Sequence, residues 1–486
     1  MKKRLLPGVV ATLICSLEVG AQRTATTVDA AAVVEAATTA MRTAILQAVQ
    51  YSGTGATFPL GQAPKPGAPW PRFKVTRYLA AVNYNAPAMR EELVCVDVED
   101  PPHGGGAGPY NPATGQGGIR PIPGEQTQTQ IRDAGTDTGL LQIWMTPHGF
   151  LKAAAANKVT VSTATVSGRA LHTVSFTALG KYTLRGTIND RNLVERVETR
   201  IANTLLGDML IDATYSDYKD FSGVKFPTRI VLRQGGHPTL DVTVSDVQPN
   251  SAAAFVVSGN APRAAPPAVR MEAQAIADGV WFLTGGAPLS ILVEFSDHVV
   301  VIEAPQDDEH TTNVIAEVKK RTPGKPIRYL VNTHLHFDHS GGLRGFVAEG
   351  VTILTHALNK PYLERILQNP FALSPDRLAR EPRTPMIEGV GDKRVLTDGT
   401  RTLELHHLQG NLHEDTLLVA YLPKEKLLIQ ADAFHPRPGA APLASPSPFT
   451  VNLLDNIRRL KLDVAQLVHV HGGVDPLAAL VKAAGR

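Results

Sequence analysis

Cysteine is almost absent from this chain, which has two such residues, Cys15 and Cys95, among 486. We expect Cys15 to be removed with an N-terminal targeting segment, so the mature chain would hold one thiol and no intramolecular disulfide. Residues 92–96 around Cys95 have the apolar character of a strand interior. A lone thiol in an exported protein is expected to be buried in such a setting.

A large excess of charge of either sign is also missing. The sequence contains 48 Lys and Arg residues and 45 Asp and Glu residues, which gives a net charge of +3. Proteins that bind nucleic acid or anionic membranes through their overall charge carry a marked excess of basic residues. The net charge therefore gives no indication of a nucleic-acid partner, and we expect none. A small-molecule substrate is expected instead, on the ground of the metal-binding residue types described below.

Long apolar runs are missing as well, once the first 21 residues are set aside. Residues 1–21 begin with Lys2-Lys3-Arg4, continue through the mostly apolar Leu5–Leu17 and end in Val19-Gly20-Ala21. This pattern predicts a secretory signal peptide that is cleaved before Gln22. Its apolar run is too short for a membrane anchor. We expect a periplasmic or secreted protein without a transmembrane segment after cleavage.

The region 22–257 predicts a β-rich domain. Eight segments alternate apolar and polar residues, as antiparallel strands with one covered face do; they are 73–78, 159–166, 171–176, 182–188, 193–199, 209–218, 228–233 and 240–247. Residues 29–50 predict an amphipathic helix capped by Asp29. Residues 101–139, rich in Gly, Pro, Gln and Thr, predict a long mobile loop. A Pro- and Ala-rich linker, 258–273, precedes a second domain, 274–486.

The densest group of metal-binding residue types lies in this second domain. His334, His336, Asp338 and His339 fall within six positions, directly after the apolar run 328–332, which predicts a buried strand. Imidazoles accompanied by a carboxylate suit zinc best, with iron or manganese as alternatives. The cluster therefore predicts a metal site at a strand end.

Three further candidate ligands also lie next to predicted strands. His413 precedes one apolar strand, and Asp432 and His471 each end another. His469 lies on the same face of its strand as His471, so either could contribute. We prefer His471, because Gly472-Gly473 directly after it would let the backbone approach the site closely.

Together these motifs resemble the metallo-β-lactamase superfamily, over roughly 274–486. The resemblance implies an αβ/βα sandwich of two mixed sheets with helices outside, preceded by the antiparallel β-rich domain, so the chain as a whole is expected to be α+β. It also implies seven metal ligands on two ions that share Asp432: His334, His336 and His413 for the first ion, and Asp338, His339 and His471 for the second.

The activity implied by this resemblance is hydrolysis of a carbonyl substrate, such as an ester, lactone, thioester or β-lactam. A hydroxide bound by two zinc ions would be the nucleophile, and Asp338 would both bind the second ion and orient that hydroxide. Oxygen-dependent sulfur oxidation at a single iron on the same fold is an alternative.

A third function is suggested by the N-terminal half. Residues 207–227 resemble the half-barrel domains of periplasmic lipoprotein carriers, which bind acyl chains in a concave sheet. The chain could accordingly be a periplasmic protein that binds an apolar ligand in its N-terminal domain, with an ancillary metal domain.

Overall fold

The structure, a computed structural model, describes residues 28–111, 116–256, 271–436 and 445–486. The predicted signal peptide, 1–21, lies outside these ranges, and so does most of the predicted linker, 258–270 of 258–273. Within the described ranges, no helix combines the length and the apolar character needed to cross a bilayer.

Thirteen strands of the described chain form one open sheet, called here the large sheet. In chain order they are β1 (Ala48–Thr57), β2 (Phe73–Asn83), β3 (Ala88–Asp97), β4 (Ala107–Asn111), β5 (Gln116–Ile119), β6 (Glu125–Asp133), β7 (Thr160–Val166), β8 (Arg169–Ala178), β9 (Tyr182–Ile188), β10 (Val194–Asn203), β11 (Gly207–Phe221), β12 (Val224–Gln234) and β13 (His237–Pro249). The spatial order is β4-β5-β6-β3-β2-β1-β13-β12-β11-β10-β9-β8-β7. Apart from the short parallel pair of β5 and β6, neighbours run antiparallel, so the predicted antiparallel β-rich region is confirmed.

Three helices pack on the large sheet: α1 (Ala30–Met41), α2 (Asp137–Trp144) and α3 (Pro147–Ala155). A short 3-10 helix (Thr43–Ile45) and α4 (Ala252–Phe255) complete this half. The three longer helices begin at side chains that accept a hydrogen bond from a backbone N–H, namely Asp29, Thr136 and Thr146. The apolar face of α1 is buried in the same core as the inward-facing side chains of the sheet.

The predicted helix over 29–50 is too long. Asp29 caps it as expected, but α1 ends at Met41, because Arg42 adopts a left-handed conformation with a φ of 56°. Val49 belongs to β1, where it pairs with Pro249 and Val82. The apolar spacing of this segment fits a helix, whereas the pairing partners that make it a strand are distant in the sequence.

The predicted loop over 101–139 is wrong. It contains β4, β5, β6 and the start of α2. Most residues of β6 are at least partly exposed, so the strand lacks the apolar alternation by which strands are recognised. Backbone pairing with β3 along its whole length holds it in place instead.

The C-terminal domain contains two mixed sheets. The first comprises β14 (Glu272–Ala277), β15 (Val280–Thr284), β16 (Ser290–Glu294), β17 (Val299–Ile302), β18 (Ile327–Val331), β19 (Thr352–His356) and β20 (Ile387–Val390), in that spatial order. The second comprises β21 (Lys393–Thr397), β22 (Thr402–His407), β23 (Leu418–Leu422), β24 (Leu427–Gln430), β25 (Gln466–His469) and β26 (Val474–Pro476), also in order. Strands β17 to β20 are parallel, as are β24 and β25.

These two sheets pack face to face with helices outside. Their shared interior is apolar and includes Val300 and Leu354 from one sheet and Leu405 and Ile429 from the other. The helices of this domain are α5 (Asp308–Arg321), α6 (Phe337–Ser340), α7 (Leu343–Glu349), α8 (Lys360–Ile366), α9 (Arg377–Arg380), α10 (Pro448–Arg459) and α11 (Leu477–Ala483). Apolar residues of α5, α7, α8 and α9 pack with the outer face of the first sheet, and those of α10 and α11 with that of the second. The predicted αβ/βα sandwich is confirmed.

His148, in α3, links this helix to the large sheet and to the short 3-10 helix through hydrogen bonds of its ring. The ring is fully buried between the Thr43 hydroxyl, 2.8 Å from Nδ1, and the carbonyl oxygen of Lys225, 3.0 Å from Nε2. A carbonyl oxygen only accepts hydrogen bonds, so Nε2 carries the hydrogen and Nδ1 accepts from the hydroxyl. Burial lowers the pKa of His148 to about 4.

We therefore expect acid to destabilise this half of the protein. Because the folded-state pKa of His148 lies below the unfolded value near 6.5, the unfolded chain binds the extra proton, and stability is lost as the pH falls below about 6.5. Between pH 7 and 4.5 this residue should account for about 2 kcal/mol of the decrease in unfolding free energy. His148→Gln should lose less stability over that range, as measured by urea unfolding. Equal losses in both proteins would contradict the prediction.

Candidate metal centre

All seven predicted ligands lie just beyond strand ends or in loops at one edge of the sandwich. The segment after β18 and the short helix α6 provide four of them, the loop between β22 and β23 provides one, and the turns after β24 and β25 provide one each: His334, His336, Asp338 and His339; His413; Asp432; and His471. Because β24 and β25 are parallel neighbours, the last two emerge at the same edge. Rigid strands thus position side chains that lie outside the strands themselves.

The first group consists of His334, His336, His413 and Asp432. One nitrogen or oxygen atom from each residue lies within 4.8 Å of those of the other three. Asp432 Oδ2 is 3.0 Å from His413 Nε2 and 3.7 Å from His334 Nε2. The rings of His336 and His413 have their centroids 4.5 Å apart. Three imidazoles and one carboxylate form a donor set that suits zinc.

The second group consists of Asp338, His339, Asp432 and His471, whose atoms meet the same 4.8 Å limit. Asp432 Oδ1 is 2.7 Å from His471 Nε2, and Asp432 Oδ2 is 3.2 Å from His339 Nε2. Asp338 Oδ2 lies 3.5 Å from His339 Nε2. The structure therefore brings together every residue that the sequence analysis assigned to the site, and places Asp432 in both groups.

The backbone of Asp432 is unusual. Its φ of 60° lies in the left-handed region, which Asp tolerates better than most residues with a side chain. The residue stands two positions beyond β24, and its side chain is 7% exposed. This turn directs the carboxylate back into the cluster of imidazoles.

Three buried ring nitrogens of the first group have no partner in hydrogen-bonding geometry among the described residues: His334 Nε2, His336 Nδ1 and His413 Nε2. Leaving buried polar atoms without partners is costly, so such a set needs a bound species. In a neutral ring whose hydrogen is on the other nitrogen, each of these atoms offers a lone pair to a divalent cation. The residues present therefore fit a divalent metal ion.

The opposite nitrogens of two of these rings are held in place. His336 Nε2 is 3.0 Å from the carbonyl oxygen of Ala63, so it must carry the ring hydrogen, which leaves the Nδ1 lone pair free. Thr333 Oγ1 lies 2.9 Å from His334 Nδ1. Contacts of this kind orient the rings of metal-binding histidines.

Electrostatics distinguishes His339 from His334 and His336. Burial lowers the pKa of His334 and that of His336 well below the usual value, which favours the neutral ring that binds metals. Burial opposes charge on His339 as well, but the carboxylates of Asp432 and Asp338 outweigh it and raise its pKa well above the usual value. A bound cation would neutralise the carboxylates in place of the protonated His339 ring. Metal binding should therefore release the proton of that ring.

Two residues near the cluster were not anticipated from the sequence. Glu303 is fully buried after β17; its Oε2 lies 3.3 Å from His339 Nδ1, and its Oε1 accepts from the backbone N–H of Thr333. His435 is half-exposed at the rim, with Nε2 3.4 Å from Asp432 Oδ1. Glu303 directly follows an apolar strand, which is the one signal that could have indicated it.

His469 lies outside the cluster. Its Nδ1 contacts Gln430 Nε2 at 2.6 Å, and its Nε2 contacts Asp475 Oδ2 at 3.1 Å. Both ring nitrogens are thus engaged by neighbours on the adjoining strands. Of the two candidates at this strand end, the structure brings His471 to Asp432.

Residues 283–469 match the sequence model of the metallo-β-lactamase superfamily, and the C-terminal domain has the fold of that superfamily. Similar solved structures include a metallo-β-lactamase from Pontibacter korlensis, at 19% identity over 44% of this chain and 98% of that one, with a TM-score of 0.34. Another is the FIM-1 metallo-β-lactamase from Pseudomonas aeruginosa, at 21% identity over 45% and 96%, with a TM-score of 0.33. Rubredoxin oxygen:oxidoreductase from Desulfovibrio gigas matches at 17% identity over 44% and 61%, with a TM-score of 0.35. No curated protein sequence matches the chain.

The different contacts of the two histidines near the end of β25 give a direct test. His471→Ala removes a nitrogen from the second group and should lower the metal bound per chain by about one ion. His469→Ala should leave the metal content unchanged and reduce stability, because its partners are Gln430 and Asp475. Metal content would be measured by mass spectrometry after dialysis. Loss of metal from the His469 variant alone would reverse the assignment.

Proposed function

We propose that this chain is an exported metal-dependent hydrolase that acts, with two zinc ions, on an ester, lactone, thioester or β-lactam carbonyl. The supporting observation is that two groups of ligand atoms share one carboxylate, that of Asp432. A site for one ion has no need of a second group, so this sharing favours two neighbouring ions over the alternative of a single iron that oxidises sulfur. Export is proposed from the sequence of residues 1–21.

Two bound zinc ions would supply a hydroxide near neutral pH, because each cation lowers the pKa of water. The protein itself has to orient the substrate and the proton. Asp338 is placed for this task, since its side chain belongs to the second group and is 41% exposed. The side chains of His471 and His435 are 30% and 49% exposed, and mark the side from which a substrate would approach.

Replacement of Asp338 tests the proposal. Asp338→Asn keeps the shape of the side chain but removes its charge, and should reduce kcat by about a hundredfold or more without unfolding the protein. Activity would be screened on nitrocefin, acyl lactones, thioesters and nitrophenyl esters, with and without a chelator. Unchanged, chelator-resistant hydrolysis by the variant would contradict the mechanism. About two zinc ions per wild-type chain would support it, whereas one iron would support the oxidative alternative.

A cavity in the N-terminal half favours a second candidate function, the binding of an apolar ligand. The cavity has a volume of ≈ 350 Å³, and its lining includes Tyr51, Tyr78, Leu93, Phe226 and Ile230. Ligand sites typically measure about 300–1,000 Å³ and combine apolar walls with a few polar groups. Here the polar groups include Glu91 and Arg132, which form an ion pair, and Glu91 also accepts from the Tyr78 hydroxyl.

Filling this cavity should weaken ligand binding. Ile230 lines it, whereas the next residue of β12, Val231, points to the other face of the sheet. Ile230→Trp should therefore weaken binding of the apolar fluorophore 1-anilinonaphthalene-8-sulfonate by about tenfold or more, and Val231→Trp should not. Equal fluorescence titrations of both variants and the wild type would show that the cavity is not the binding site.

A further inference from the structure

The metal centre has a wall that comes from the N-terminal half of the chain. Residues 58–68, which form most of the connection between β1 and β2 and are called here the strap, run along the cluster. The carbonyl oxygen of Gly61 accepts from the backbone N–H of Phe337, and that of Pro64 accepts from the backbone N–H of Asp415. The Ala63 carbonyl holds His336, as described above. Strap residues thus contact the segments that carry ligands of both groups.

Two glycines, one in the strap and one packed against it, leave no room for a Cβ. Gly61 has a φ of 76°, and a Cβ there would lie 2.2 Å from the Phe337 ring. Gly105, between β3 and β4, packs against the strap, because a Cβ there would be 1.9 Å from Gln62 Oε1 and 2.8 Å from His336 Cε1. The backbone N–H of Gly105 also donates to the carbonyl oxygen of Gln62. Gln62 is therefore held firmly, and it is 5% exposed.

The side chain of Gln62 reaches the centre itself. Its Nε2 donates to Asp338 Oδ1 at a distance of 2.9 Å. The other oxygen of Asp338, Oδ2, faces His339 Nε2. A carboxylate that is 41% exposed has several rotamers available, and ordering one of them costs conformational entropy. A buried, well-packed amide that binds one oxygen would select the rotamer in which the other faces the second group.

We propose that Gln62 is a positioning residue for the second metal ion, and that the N-terminal half thereby completes the centre. Its amide acts through Asp338 and would touch neither metal nor substrate. This inference rests on the proposed role of Asp338 as a ligand. It assigns the strap a part in the hydrolase, in contrast to an N-terminal half that merely carries a separate ligand.

The test measures metal binding directly. Cobalt(II) would be titrated into the metal-free full-length protein and followed by its visible absorption. Gln62→Met has a similar volume but no N–H donor, and should weaken the second binding step by about tenfold or more while leaving the first unchanged. Gln274→Met, at an exposed position of β14, is the matched control and should behave as the wild type. If the two cobalt affinities of Gln62→Met equal those of the wild type, the proposal is overturned.

A double-mutant cycle separates positioning from general destabilisation. If Gln62 acts through Asp338, then Gln62→Met should cause no further loss of cobalt affinity in a chain that already carries Asp338→Ala, which lacks the oxygen that accepts from Gln62. An additional loss of the same size in that background would refute the pathway. Once a substrate has been identified, Gln62→Met should lower kcat for its hydrolysis and change KM little. The cobalt titrations do not depend on hydrolysis, so they can succeed or fail independently of the proposed activity.

Discussion

The buried carboxylate of Asp432 is the group around which the metal centre is organised. Its oxygens lie between 2.7 and 3.7 Å from ring nitrogens of His334, His339, His413 and His471. Burying a carboxylate without compensation would be prohibitive. The compensating imidazoles start from different strand ends in both sheets of the sandwich. They can meet only if the two sheets pack in one arrangement, so the apolar interior between the sheets and the polar cluster at its edge depend on each other.

The sequence was informative about this centre where the signal is local. Four candidate ligands follow one apolar strand within six positions, and the other three each adjoin an apolar run, so their types and settings could be recognised. Glu303 and Gln62 could not be recognised in this way. Glu303 follows an apolar strand, but a Glu in such a position is common, so its position alone does not predict the contact with His339. Gln62 is separated from Asp338 by 276 positions, and the contact exists only because two halves of the chain pack together.

The large sheet shows the same division between local and distant information. Its eight alternating segments predict strands, since a covered face leaves a period of two in the sequence. The composition of the region 101–139 predicts a loop, because the region is mostly polar and its longest strand, β6, owes its conformation to pairing with β3. The segment that became β1 carries spacing compatible with a helix, and its true state follows from neighbours on both sides, β2 and β13.

The strap has a consequence for modularity. The C-terminal sandwich shares two contacts at its metal centre with the N-terminal half. His336 Nε2 donates a hydrogen bond to the Ala63 carbonyl oxygen, and Asp338 Oδ1 accepts one from Gln62 Nε2. Both partners belong to the strap, between the first two strands of the large sheet. If the C-terminal half were fused to a different N-terminal domain, His336 and Asp338 would lose these two hydrogen bonds and would be exposed to water instead. The domain boundary at the linker 258–273 therefore does not separate the metal centre from all of the residues that support it.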